Sequence, residues 1–117
     1  MATLAGVALI MAVSLPASGA DRESGKKVYA QKCQNCHGLD GKGSATAEKM
    51  LKTKIPDLTA TQPSKFSKAE RQRYEQRVRT VLAEGKKPMP PFGKSLSKED
   101  QENVLEYMEK AFMNGGK

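Results

Sequence analysis

The sequence predicts an all-α domain of three to four helices joined by long loops. Three observations predict this. Apolar residues recur at helical spacing in several separate stretches, and no stretch sustains the alternation of a half-buried strand. Gly- and Pro-rich segments divide the periodic ones. Such long connectors are uncommon in a small domain unless they serve a function, so they are expected to wrap around something.

The elements follow in order. Residues 1–20 carry no charged side chain, and the run from Leu4 to Leu15 has the length of a signal-peptide h-region. Pro16 breaks that run, and Ser18 and Ala20 supply the small residues of a cleavage site after Ala20. The n-region lacks Lys and Arg, so either the start lies upstream or the signal is a weak one. The run is too short for a membrane span, for which about 18 or more apolar residues are wanted. Residues 1–20 are therefore read as a cleaved signal peptide, and 21–117 as the one exported domain.

Within that domain, 24–36 has apolar and sulfur positions at helical spacing through Val28, Tyr29, Cys33 and Cys36. Residues 38–47 read as a loop, and 47–51 as a short helix that ends before Pro56. A second helix is expected over 68–84. Tyr74, Val78, Val81 and Leu82 form its apolar stripe, and Gly85 its stop. Three prolines around Met89 exclude helix from 86–95. Ser97 then caps a last helix with acids in its first turn. Its stripe is Val104, Leu105, Met108 and Phe112, with Tyr107 alongside, and Gly115 and Gly116 end it.

Composition exposes a deficit. The 117 residues include no Trp, three Phe and three Tyr, so a core built from this chain alone is short of large apolar filling. Small domains of this kind often need a covalent or metal staple.

Both cysteines and the only histidine of the chain fall in Cys33-Gln34-Asn35-Cys36-His37. A disulfide between Cys33 and Cys36 suits an oxidising compartment but closes a tiny loop and leaves His37 unexplained. A thioredoxin-like dithiol needs an adjacent βαβ pattern, and none is evident. A structural zinc site needs four ligands, and the motif offers three. C-x-x-C-H is also the attachment pattern of c-type haem. Two thiols on one helical turn can each add to a haem vinyl group, and the following imidazole is carried under the iron. Export fits this reading, and a buried porphyrin would make up the missing core. The chain without haem is accordingly expected to fold poorly.

The region 24–113 resembles the class I c-type cytochromes, the group of small monohaem cytochromes c. The resemblance rests on Gly25-Lys26-Lys27-Val28-Tyr29 ahead of the CxxCH motif, on Pro56-Asp57-Leu58, and on Glu102-Asn103-Val104-Leu105-Glu106-Tyr107. It implies a cytochrome c-like fold wrapped around one covalent haem c, with Cys33 and Cys36 as thioether ligands and His37 as proximal iron ligand. It also implies that the glycine of the first helix admits the last helix closely, and that the Pro56 carbonyl accepts the His37 Nδ1–H.

A second histidine is absent, so a thioether is the next candidate for the distal position among the six methionines. Met1 and Met11 leave with the signal, Met50 follows the motif closely, and Met108 and Met113 read as helix packing. Met89 stands in a proline-stiffened loop, which lowers the entropy lost on ligation, and the family's distal methionine lies in such a loop. Met89 is the candidate. The alternative is a methionine that fills a gap beneath the loop.

Lys and Arg outnumber Asp and Glu by 20 to 13, a net charge of +7. Nucleic acid is not indicated, since no aromatic residues interleave the basic ones. Much of this charge is an ordinary solvated surface, and 68–79 can be read as a wet helix face. Lys86, Lys87 and Lys94 flank the methionine loop and are candidates for docking redox proteins with acidic surfaces. The expectation is a soluble monomeric electron carrier, not an enzyme, in the periplasm or an equivalent extracytoplasmic space. It is not expected to insert stably in a membrane after signal cleavage. The alternatives are a haem c subunit of a larger periplasmic oxidoreductase complex, or a gas-binding haem protein with an open distal face.

Overall fold

The computed structural model describes residues 3, 5–8 and 20–113. Positions 9–19, with most of the expected leader, lie outside the described residues, as do Gly115 and Gly116.

Helix α1, Arg22–Lys32, starts where the Asp21 carboxylate accepts the Glu23 N–H at 3.0 Å. An acid there satisfies an orphan donor and complements the helix dipole. The helix expected in one piece over 24–36 is two. At Cys33 the backbone reaches φ −118°, and the chain restarts as α2, Gln34–His37. The Cys33 carbonyl accepts the His37 N–H at 2.9 Å, so Cys33 and Cys36 still share one helical turn. The Tyr29 hydroxyl donates to the Gly38 carbonyl at 2.6 Å, which ties the loop after α2 back to α1.

Helix α3, Ala45–Leu51, is capped by the Ser44 hydroxyl. A single 3₁₀ turn at Pro63–Lys65 interrupts the connector that follows. Helix α4, Lys68–Glu84, keeps the bounds expected of it. Ser67 and Glu70 close a reciprocal capping box at its start, each side chain bonded to the other's backbone N–H. Gly85 ends it at φ 74°, and a Cβ there would press on the Met89 carbonyl at 2.8 Å. Helix α5, Lys98–Met108, is capped by Ser97 and continues as a π-helical turn, Glu109–Met113, where an α-helix was expected. Among the described residues no strand forms. The proline loop holds one isolated bridge, between Lys86 and Met89.

α1 and α5 cross where Gly25 meets Asn103. A Cβ on Gly25 would collide with the Asn103 carbonyl and come within 2.9 Å of the Tyr107 Cβ. The Asn103 side chain stays buried by accepting the Asp21 N–H at 2.7 Å. Beyond the crossing, Val28 and Tyr29 pack with Val104, Met108, Phe112 and Met113. The Tyr29, Tyr107 and Phe112 rings lie 5.1 to 5.8 Å apart in tilted and edge-on pairs. α4 adds Leu82 to this core and pairs Arg71 and Arg79 with Glu109 and Glu102 across to α5 and its extension.

Since the crossing has no room for a methyl group, Gly25→Ala is expected to cost about 2 kcal/mol or more. The check is the urea midpoint of the intact protein, with α1 and α5 helicity retained in far-ultraviolet circular dichroism.

Candidate functional site

The loop after α2 folds back onto it. Gly43 N–H bonds the His37 carbonyl and Ser44 N–H bonds the Cys36 carbonyl, both at 2.8 Å. This leaves the side chains of the motif turned inward. Cys33, Cys36 and His37 line one cavity of about 580 Å³, within the span of about 300–1,000 Å³ usual for cofactor sites.

The other walls come from distant parts of the chain. α4 presents the stripe read from the sequence, Tyr74, Val78, Val81 and Leu82. The connector gives Ile55, Pro56 and Leu58, and the proline loop gives Met89 and Phe92. Lys32, Lys54, Lys86, Lys87 and Arg77 supply the cationic members of the lining. The interior is otherwise mostly apolar, so an occupant with a large apolar body and an anionic edge suits it.

Electrostatics agree with a site built for soft and neutral ligands. Both cysteines are free, Cys33 buried and Cys36 half-buried. Burial, then the neighbouring Cys36 thiol, pushes the Cys33 thiol up to about 11. Burial lowers the His37 pKa and favours the neutral imidazole, the form that can give a lone pair to a metal. The His37 Nδ1 is buried without a hydrogen-bond partner. The bond expected from it to the Pro56 carbonyl is not made here, although Pro56 lines the same cavity. A buried nitrogen of this kind needs a partner, and the Pro56 carbonyl in the same cavity wall is the candidate acceptor.

The methionines divide. Met50 is 76 % exposed and does not line the cavity, whereas Met89, Met108 and Met113 do. Met108 and Met113 are fixed in the core, and the Met113 sulfur takes the Tyr74 hydroxyl at 3.3 Å. Met89 is held through its backbone, exchanging bonds with Lys86 at 2.7 and 3.1 Å. Phe92 and Gly93 anchor the far side of the loop to α4 through the Leu82 and Ala83 carbonyls at 2.8 and 3.0 Å. Its side chain is only partly buried. The cavity roles of Met108 and Met113 carried no sequence signal, because an apolar residue in a helix reads as core whichever side it faces, and Ile55 stands in a connector with no periodicity to read.

The basic helix face also divides. Arg71 and Arg79 are ion-paired to acids, and Arg77 lies 5.9 Å over the Tyr74 ring. Lys86, Lys87 and Lys94 are exposed. Among the described residues no helix is long and apolar enough to cross a membrane.

Comparison with known proteins gives concordant likenesses. A family model described as "Cytochrome C oxidase, cbb3-type, subunit III" matches residues 20–108. The cytochrome c6 of Rippkaea orientalis is 35% identical over 93 residues, which cover 80% of this chain and 73% of that protein. The cytochrome c6 of Gloeothece citriformis is 32% identical over 101 residues, covering 82% and 77%. Among solved structures, the KustC0563 c-type cytochrome superposes with a TM-score of 0.53 at 25% identity, covering 73% of this chain and 93% of that one.

Leu82 is 3 % exposed and serves both the core and the cavity wall. Leu82→Ala is expected to cost about 3 kcal/mol, read as a lower urea midpoint with the helix signal of the folded protein unchanged.

Proposed function

The chain belongs to the class I c-type cytochromes and carries haem c, and from that premise we propose that it is an extracytoplasmic one-electron carrier with His/Met axial ligation. The observation that carries the reading is the single cavity shared by Cys33, Cys36, His37 and Met89. Bound haem supplies an iron centre that gains or loses one electron.

The chain's own residues do the rest. Cys33 and Cys36 would hold the haem through thioether bonds, each thiol's sulfur and hydrogen adding across one vinyl group. His37 would supply a ring nitrogen to the iron. Its Nδ1–H, buried in the same cavity wall as Pro56, would have the Pro56 carbonyl as acceptor, which would fix the tautomer. Met89 offers its thioether from a loop already anchored at Lys86, Phe92 and Gly93, so little loop entropy is lost on ligation. The core sulfurs of Met108 and Met113 lack that freedom. A thioether from Met89 would raise the potential and leave no position for a substrate, which favours carriage over catalysis.

Lys86, Lys87 and Lys94 lie exposed on and just beyond the methionine loop, where they can steer acidic redox partners to the haem edge. Residues 1–20 act as the export signal, and 21–117 as the exported domain.

A second reading, a haem c subunit of a larger oxidoreductase, is favoured by the printed description of the matching family model, which names an oxidase subunit. It needs the same haem chemistry and differs in mass. Size exclusion of the native protein separates the two, a lone small species supporting the carrier.

Met89→Ala tests the ligation. The far-red sulfur-to-iron band of the oxidised protein is expected to vanish, and carbon monoxide to bind the reduced form freely. The potential is expected to fall by on the order of 0.1 V, within the roughly 0.8 V span that axial ligands command. An unchanged band would assign the ligand elsewhere.

A further inference from the structure

A buried carboxylate follows Met108 and shares a π turn with Met113, both of which line the haem cavity, and the proposed electron carriage does not use it. Glu109, in the π-helical turn, is 3 % exposed. Its Oε2 takes the Arg71 guanidinium at 2.9 Å, while its Oε1 is buried with no partner. Arg71 is shared, because its Nε also donates to Glu75 at 2.8 Å. Glu75 in turn meets Arg79 at 3.6 Å, and Arg79 donates to Glu102 at 2.7 Å. The chain of charges thus holds three carboxylates against two guanidiniums, one proton short of neutral.

We infer that Glu109 is a redox-linked proton site, holding a proton in the reduced protein and releasing it when an electron leaves. The inference rests on the one-electron couple proposed above. In the step, one electron passes to a one-electron acceptor, the O–H bond of the Glu109 carboxyl breaks, and the proton passes to water. Return of the electron restores the proton, and no other bond changes.

Three observations support this. The excess negative charge falls on the least solvated member of the network, since Arg71, Arg79 and Glu102 are each more than a third exposed. The cleft between α4 and α5, about 420 Å³, runs from Glu109 to those exposed groups and gives the proton a path to water. Tyr74 connects the site to the haem cavity, where its ring forms part of the wall. Its hydroxyl donates to the Met113 sulfur at 3.3 Å, and Met113 lies both in the cavity wall and in the π turn that carries Glu109.

The titratable groups that share the cleft with Glu109 are Arg71, Glu75 and Arg79 from α4 and Glu99, Glu102 and Glu106 from α5, and Tyr74 of α4 is electrostatically linked to it. Lys110 follows it in the turn. Burial, then Glu75, raises the Glu109 pKa, while Arg71 opposes the rise. The Glu75 carboxyl, nearer the surface and bonded to Arg71, lies below its ordinary value.

The sign follows. Oxidation leaves one more positive charge in the cavity, which stabilises the Glu109 carboxylate and lowers its pKa. Between the oxidised and reduced values the potential must fall as pH rises, by at most about 59 mV for each tenfold change in proton activity. It is flat on either side of that window.

Spectroelectrochemical titration of the haem-loaded protein across pH tests this. The wild type is expected to show the falling limb, and Glu109→Gln to lose it and stay at the acidic plateau. Glu75→Gln is expected to move the limb to lower pH, because Arg71 then serves Glu109 alone. Titration of the haem's own carboxylates would leave the limb in place in both variants, and that result would overturn the inference. Should Glu109→Gln fail to fold, the wild type and Glu75→Gln decide through redox-difference infrared spectroscopy. A protonated-carboxyl band lost on oxidation, shifted in deuterium oxide and moved by Glu75→Gln supports the site, and a band that is absent or unmoved by Glu75→Gln overturns it. A reversible couple without pH dependence defeats Glu109 alone. No reversible couple at any pH defeats the carrier reading, and the inference with it.

Discussion

The structure depends on an apolar cavity whose walls come from parts of the chain far apart in sequence. Protein interiors are close-packed, and an apolar body seated against such walls gains both dispersion contacts and burial. Here the wall draws on the motif turn, the connector, α4, the proline loop and the end of α5. Direct bonds join some of these pieces, the proline loop to α4 through Phe92 and Gly93, and α4 to the π turn through Tyr74 and Met113. The chain lacks the aromatic residues that would let them collapse, so haem completes the core as well as supplying the chemistry.

What the polypeptide settles by itself is the α1–α5 crossing. Gly25 lets two backbones meet, and Asn103 is buried there without an unsatisfied amide oxygen. Tyr29 then links this packed half to the motif through the Gly38 carbonyl. The helix that ends at Cys33 is therefore positioned by contacts on its far face, leaving the thiols for the cavity. Across the cavity, α4 plays the complementary part. Its one stripe lines the cavity while its arginines hold the acids of α5 and the π turn.

Much of this was legible in the residues because it rests on local chemistry. The bounds of α4 follow from a stripe that stops at Gly85, and the start of α5 from Ser97 and two acids. The helical spacing of Cys33 and Cys36 placed both thiols on one wall, although the helix itself breaks at Cys33. That break is a backbone event with no side-chain signature. Glu109 was equally hidden, since a Glu in a terminal helix reads as surface. Only the π turn and the approach of Arg71 from α4, 38 residues earlier in the chain, make it a buried group. Met108 and Met113 shared the same ambiguity, as core and cavity lie on one apolar stripe.

The account's central claim is that one porphyrin is joined to this chain by two carbon–sulfur bonds. Intact mass spectrometry of the denatured, exported protein tests it most directly. The account predicts the mass of the polypeptide plus one haem, with the added mass confined to the peptide bearing Cys33 and Cys36. A denatured chain with no mass beyond its amino acids would contradict it.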